Sequence, residues 1–463
     1  MRPLIAVAVV LSACGKAAVV DPAIVETTNG VSIRRDLIRV AAPKPEANPM
    51  TGTATPDALD AVVVLRYRVD TAGGPPQPAR AVVVLMPGFL GGAGGFDALA
   101  RAVVRRSTPD APLEAWAIDR RANLLEDHAG IDAAADAGNP DVLTSYYFEP
   151  GSTFGGFRSQ DDLAYASEWG MASTMADLRA VIAQVPAAER KARVILAGHS
   201  LGGTLVAQYA AWDFEGSAGH DELAGLVMID SVTGREGEPI AVTRDEYETT
   251  GVMSPSMGAP VSLASVRGSA RYVALPLLEA SLYPLGAGAA LRAMLRPDLL
   301  ERDVPRAEAL KLLFGLSTLP RFTNRAAFGL VFDAASCPVS IAAVNGGAAE
   351  GGELTLGPAV FGGGMLLKPT QVDATYRWRE YDQVSPAEAT SLDDLALAWA
   401  RPGSDFGEWY FPARLSLDAR LGESLTLSAT DWPVQYGVRS FHGRALSLPV
   451  LVEAAGILSG NGS

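Results

Sequence analysis

The sequence predicts an α/β fold: a mostly parallel central sheet, helices on both faces, and a large insertion late in the chain. Three observations carry this. Short, continuous apolar runs at 81–86 (AVVVLM), 113–118 (LEAWAI), 193–197 (RVILA) and 225–229 (GLVMI) read as strands buried on both sides. Segments with helical spacing alternate with them, at 95–105, 166–185 and 201–212. The alternation then breaks after Asp230 into Pro- and Gly-interrupted helices and short strands.

At 463 residues and 48% hydrophobic content, the chain can bury a sizeable core. Its formal net charge of −14 argues against a nucleic-acid partner, which a polyanion would repel. Residues 1–13 begin with a charge at Arg2 and continue through a short apolar run. That is the make-up of an export signal, too short to span a bilayer as a stable helix. The run ends Leu11-Ser12-Ala13-Cys14, which resembles the bacterial lipobox. The resemblance implies that Cys14 is acylated and anchors an exported protein to a cell-envelope membrane, periplasmic or cell-surface. Each buried CH₂ of the anchor contributes about 0.8 kcal/mol. The second cysteine, Cys337, is then expected as an unpaired buried thiol in the insertion.

Residues 14–56 are polar and locally Pro-rich and read as a tether carrying one strand at 31–40. Residues 57–234 form the first part of the core, opening with a strand at 61–69. A long loop containing Tyr146, Tyr147 and Phe148 follows the LEAWAI strand. Residues 235–445 read as a lid or cap, and 446–463 as a return to the core. Tyr376-Arg377-Trp378 and the run from Glu408 to Pro412 bring aromatics into the lid, either to line a pocket or to fill its core.

Gly198-x-Ser200-x-Gly202 lies between an apolar strand and a helical segment. This is the setting of a nucleophile on a sharp strand-to-helix turn, where flanking residues must lack bulk. A tetrahedral intermediate needs two N–H donors. The backbone of Leu201 is one, and the Gly-rich loop 86–92 offers Phe89 as the other, with Leu90 second. No Lys-Ser/Thr follows that loop, so it is no phosphate cradle.

The order PGFLGG, WAIDRR, LAGHSLGG, GLVMIDS resembles the α/β-hydrolases of esterase and lipase type over residues 60–234. The resemblance implies a serine hydrolase acting on a small-molecule or lipid-like ester, without metal or organic cofactor. The stretch from Asp119 to Asp127 departs from the commoner Asp-Arg-x-Gly-x-Gly pattern, so no substrate carries over. The family's order is Ser, acid, His. The chain has four histidines. His199 is expected to point away from Ser200, His220 falls at the amino edge of the sheet, and His128 precedes the serine. His442 stays ambiguous. If 448–456 is a terminal helix, His442 is the base, the seventh strand is 339–345, and the acid is Glu350, Glu353 or Asp230. If that segment is itself the seventh strand, His442 lies at the amino edge, and the acid loop, last strand and histidine are expected beyond Ser463. Asp230, ending the sixth strand, is the nominated acid. The competing reading is a binding lipoprotein on a hydrolase fold without a working base.

Overall fold

The computed structural model describes residues 18–28, 31–71, 78–233, 240–253, 259–274, 279–300, 304–337, 344–359, 365–380, 391–403, 405–422 and 424–453. Cys14, residues 1–13 expected as an export signal, and residues 454–463 lie outside these residues. The central sheet has eight strands: β1 (Ala18–Thr28), β2 (Val31–Ala41), β3 (Ala61–Val69), β4 (Ala81–Met86), β5 (Leu113–Asp119), β6 (Val194–His199), β7 (Gly225–Ile229) and β8 (Val450–Glu453). Their spatial order is β1-β2-β3-β5-β4-β6-β7-β8. The first three pairings are antiparallel, and β5, β4, β6, β7 and β8 run parallel.

Strand alternation sorts β4 between two cores. Val82, Val84 and Met86 face one, and Leu85 faces the other. On the first face pack Met171, Met175, Leu178 and Val181 of α4 (Met171–Ile182), with Leu205, Val206 and Tyr209 of α6 (Leu201–Ala211). On the second pack Ala100 and Val104 of α1 (Asp97–Arg105). Helices therefore cover both faces, as the unbroken apolar strands require, and this is the α/β-hydrolase fold.

The structure departs from the sequence reading in four places. Residues 18–41 are sheet rather than tether: the strand expected at 31–40 is present as β2, and 18–28 add the unexpected β1. They form the β1–β2 hairpin, which extends the sheet and buries Ile33, Ile38 and Val40. Residues 42–56 lack regular structure but are held down: the buried Asn48 amide donates to the Ala164 and Arg267 carbonyls. The loop after β5 holds two helices, α2 (Ala129–Ala137) and α3 (Asp141–Phe148). Its Gly138-Asn139-Pro140 is only the joint between them, with Gly138 at φ +58° closing α2.

The insertion is not one lid either. Its flanks, including α7 (Leu263–Gly268) and α12 (Ala413–Gly422), supply Val242, Tyr247, Val266, Phe411 and Leu417 to the main core. Its middle makes a separate core from α8 (Leu282–Leu295), α10 (Asn324–Phe332) and α11 (Leu392–Ala400), with Ile131, Leu143 and Tyr147 of α2 and α3. Buried Tyr376, Trp409 and Tyr410 belong to insertion cores. Cys337 is buried there too.

The seventh-strand seat falls to β8, which pairs parallel with β7 through Val450↔Leu226 to Glu453↔Ile229. The rival segment 339–345 lies mostly outside the described residues. β8 is an outer strand, with Val450, Leu451 and Val452 each about half exposed.

Candidate active site

Ser200 sits between β6 and α6 at φ 52°, ψ −123°, a conformation L-residues avoid. Such strain costs on the order of 1–3 kcal/mol and persists only where surroundings enforce it. Here the Ser200 N–H donates to the Ile229 carbonyl at 2.9 Å. Its carbonyl accepts the Ser231 hydroxyl at 2.7 Å and the Gly203 N–H at 2.9 Å. The turn closes only because side chains are missing. A Cβ on Gly198 would overlap the Gly202 carbonyl, and one on Gly202 the Met86 carbonyl.

Opposite lies the loop 87–92. A Cβ on Gly88 would stand 3.1 Å from the Ser200 Cβ and 3.4 Å from His199 Nδ1, so bare backbone faces the serine. Leu90 is held at φ 57°. The loop's shape is imposed by Arg120, whose guanidinium donates to the carbonyls of Pro87 (2.8 Å), Gly88 (2.9 Å) and Gly91 (3.0 Å). The same group donates to the Glu408 carboxylate at 2.9 and 2.6 Å. Glu408 is fully buried. Burial pushes its carboxyl up, and Arg120 pulls it back. The insertion grips the loop further: Glu408 N–H donates to the Leu90 carbonyl and Gly92 N–H to the Phe406 carbonyl, both at 2.9 Å. Phe89 packs edge-on against Phe411, ring centroids 4.8 Å apart. Among the described residues, no acceptor takes the N–H of Phe89 or of Leu201. Both nominated oxyanion donors are thus unspent beside the serine.

Ser200 and His199 open into a cavity of about 590 Å³. Its far walls come from the insertion, with Leu282, Tyr283, Phe328, Phe332, Trp399 and Phe406 among them. The lining is overwhelmingly apolar, as suits a bound organic molecule.

The histidines separate clearly. His442 is not at the serine. Its N–H donates to the Ala211 carbonyl and its Nε2 meets Asp213 Oδ1 at 3.0 Å. Ala211 ends the helix that Ser200 begins, and eleven residues at 1.5 Å each put the two about 16 Å apart. The expectation of His442 as base does not hold, because β8 takes the seventh-strand seat and leaves His442 at the amino edge. His220 is buried at that same edge, its Nδ1 3.0 Å from the Ala210 carbonyl. His128 sits beside Glu126 and Asp405. His199, expected to point away, instead shares the cavity with Ser200. Burial lowers its pKa, partly offset by Asp230, so it is neutral at pH 7.

Asp230 follows β7 at φ 46°, its N–H donating to the Glu453 carbonyl at 2.6 Å. Its Oδ1 is buried without a hydrogen-bond partner. Glu350 and Glu353 are elsewhere, on and beside small strands of the insertion. Sequence reasoning flagged the Asp119-Arg120-Arg121 run as unusual but assigned Arg120 no role. Two arginines directly after a buried strand signal buried anionic partners, but one of these, Glu408, lies 288 positions away.

No protein-family model matches the chain, nor does any curated protein. Among solved structures, it is similar to a putative lipase from Sulfolobus solfataricus, at 14% identity and TM-score 0.32, covering 62% of this chain and 65% of that one. It is similar to a bacterial heroin esterase at 18% identity and TM-score 0.22, covering 44% and 46%. An esterase from Thermogutta terrifontis gives 15% identity and TM-score 0.21, covering 42% and 56%. The chain spans less than two thirds of the length of each.

Proposed function

We propose that this protein is a serine hydrolase that cleaves carboxylic esters through an acyl-enzyme on Ser200, exported and held at a membrane by an acylated Cys14. The observation that carries the enzymatic reading is Ser200 itself: a strained serine facing an apolar cavity, with two uncommitted N–H groups beside it. In the reaction, Ser200 Oγ bonds to the ester carbonyl carbon and gives its proton to a base. The oxyanion takes hydrogen bonds from Phe89 and Leu201. Breaking the carbonyl C–O bond releases the alcohol, which leaves with that proton. Water then attacks the acyl carbon and frees the acid and Ser200. The apolar walls favour an apolar acyl or alcohol group. His199 is the one histidine that shares the cavity, and as a neutral imidazole it can accept a proton. Asp230, with its uncommitted oxygen, is the acid beside the elbow.

A second reading, a binding lipoprotein without turnover, draws support from one observation: none of the four histidines hydrogen-bonds Ser200. A fluorophosphonate probe separates the two. Labelling of the wild type that disappears in Ser200→Ala supports the enzyme; unlabelled but folded wild type rejects it. Loss of labelling in folded His199→Ala assigns the base. For the anchor, Cys14→Ser is expected to release the protein from the membrane fraction, and unchanged partitioning rejects acylation there.

A further inference from the structure

One cluster of groups with metal-binding chemistry lies outside the cavity, and the reaction above makes no use of it. Glu126 and His128 come from the turn between β5 and α2, and Asp405 from the insertion segment that grips the 87–92 loop. Glu126 Oε2 is 2.9 Å from His128 Nε2, which is 3.6 Å from Asp405 Oδ2. One donor atom from each of the three falls within 4.8 Å of the others. A four-coordinate zinc ion, with N and O ligands near 2.1 Å, spaces neighbouring donors about 3.4 Å apart. The observed separations bracket that value. The Glu126 side chain is 0% exposed and that of Asp405 9%, whereas His128 is 23% exposed. The site is closed on its acidic side and open at the imidazole, which provides an entry path and room for a water ligand.

Asn123 supplies an independent observation. Its buried amide donates through Nδ2 to Asp405 Oδ2 at 2.7 Å and to Glu126 Oε1 at 3.4 Å. The amide oxygen, on the same carbon, is buried without a hydrogen-bond partner. A buried acceptor left without a partner is costly unless a cation or donor meets it.

We propose that Glu126, His128 and Asp405 bind one divalent cation of the zinc class, with the Asn123 amide oxygen as a further donor beside it. The ion ties the β5–α2 turn to segment 405–409. That segment holds the loop carrying Phe89, since the Asp405 carbonyl accepts the Gly94 N–H at 2.5 Å and the Glu408 N–H meets the Leu90 carbonyl. The bound ion therefore acts as a positioning device for the loop. Binding itself does not depend on the hydrolase reading.

The test is calorimetric titration of the chelator-treated full chain with zinc chloride. The expected result is one saturable ion per chain. Affinity should fall at least about 100-fold in His128→Ala and in Asp405→Asn. It should be unchanged in His442→Ala, which removes a histidine–aspartate contact elsewhere in the fold. Melting temperature should rise with zinc in wild type and not in His128→Ala. Absence of saturable binding in the wild type overturns the proposal. So does binding that survives both ligand variants, or is lost equally in His442→Ala. Should His128→Ala fail to fold by circular dichroism, Asp405→Asn decides, being nearly isosteric.

Discussion

Replacing Arg120 with methionine removes the side chain whose hydrogen bonds tie the 87–92 loop to Glu408 of the insertion. Three carbonyls and the Glu408 carboxylate each lose a donor. Glu408 has 0% exposure and one carboxylate oxygen already unpartnered, so its charge is left buried and alone. Breaking a buried pair this way costs about 3–5 kcal/mol. Methionine keeps most of the apolar stem, so lost packing contributes little. Much of that cost is the stranded charge, so Arg120→Met/Glu408→Gln should regain about 2 kcal/mol over the single variant, a coupling that a double-mutant cycle measures in urea. The loop should also lose its aim at Ser200. Misplacing one oxyanion donor lowers turnover about 10²- to 10³-fold, and fluorophosphonate labelling should slow in proportion. A single-variant cost below about 1 kcal/mol, or additivity across the cycle, would refute the idea that Arg120 and Glu408 together shape the loop.

Gly202→Ala drives a methyl into the Met86 carbonyl, backbone against backbone; it should destabilise the fold by at least about 1–3 kcal/mol and abolish labelling of Ser200, as read by thermal melts and probe gels. His442→Ala should leave labelling at the wild-type rate, because its side chain serves Asp213, and should cost about 1 kcal/mol or less for that partly buried contact. Asp177 is buried against Arg121, and burial pushes its carboxyl up to about 6 despite that partner. The folded protein thus keeps this proton to higher pH than the unfolded chain, where the group titrates near about 3.9. Stability present below the unfolded value is lost as pH rises through about 6, by up to about 3 kcal/mol. Asp177→Asn should flatten that slope in melts run between about pH 4 and pH 7; an unchanged slope assigns it to other groups.

Much of the core was legible because local pattern and tertiary role coincide there. Strands 61–69, 81–86 and 225–229 have the boundaries the sequence implies. The runs 81–86 and 225–229 are apolar on both faces, and 61–69 is so up to Leu65, before Arg66 and Arg68 enter. The elbow was legible for a related reason. Gly198, Ser200 and Gly202 stand within five residues, and although Gly198 is constrained by Gly202 and Gly202 by the distant Met86 carbonyl, the resulting spacing is visible in the sequence. β1 was missed because Asp21, Pro22 and Glu26 break any alternation, and pairing with β2 makes it a strand.

What the sequence alone indicated, then, is the parallel sheet, the strand-to-helix turn that carries Ser200 and the seat of α6 behind it. Only the tertiary structure decided between the two readings of the chain's last strand. Val450–Glu453 is too short to choose a partner by pattern, and the free edge of β7 chose for it, leaving His442 with Asp213. The structure alone joined Arg120 to Glu408, and Glu126 and His128 to Asp405, across almost three hundred residues. Charged groups carry no periodicity that marks them for burial, and their partners are selected by proximity that exists only once the insertion has closed over the sheet.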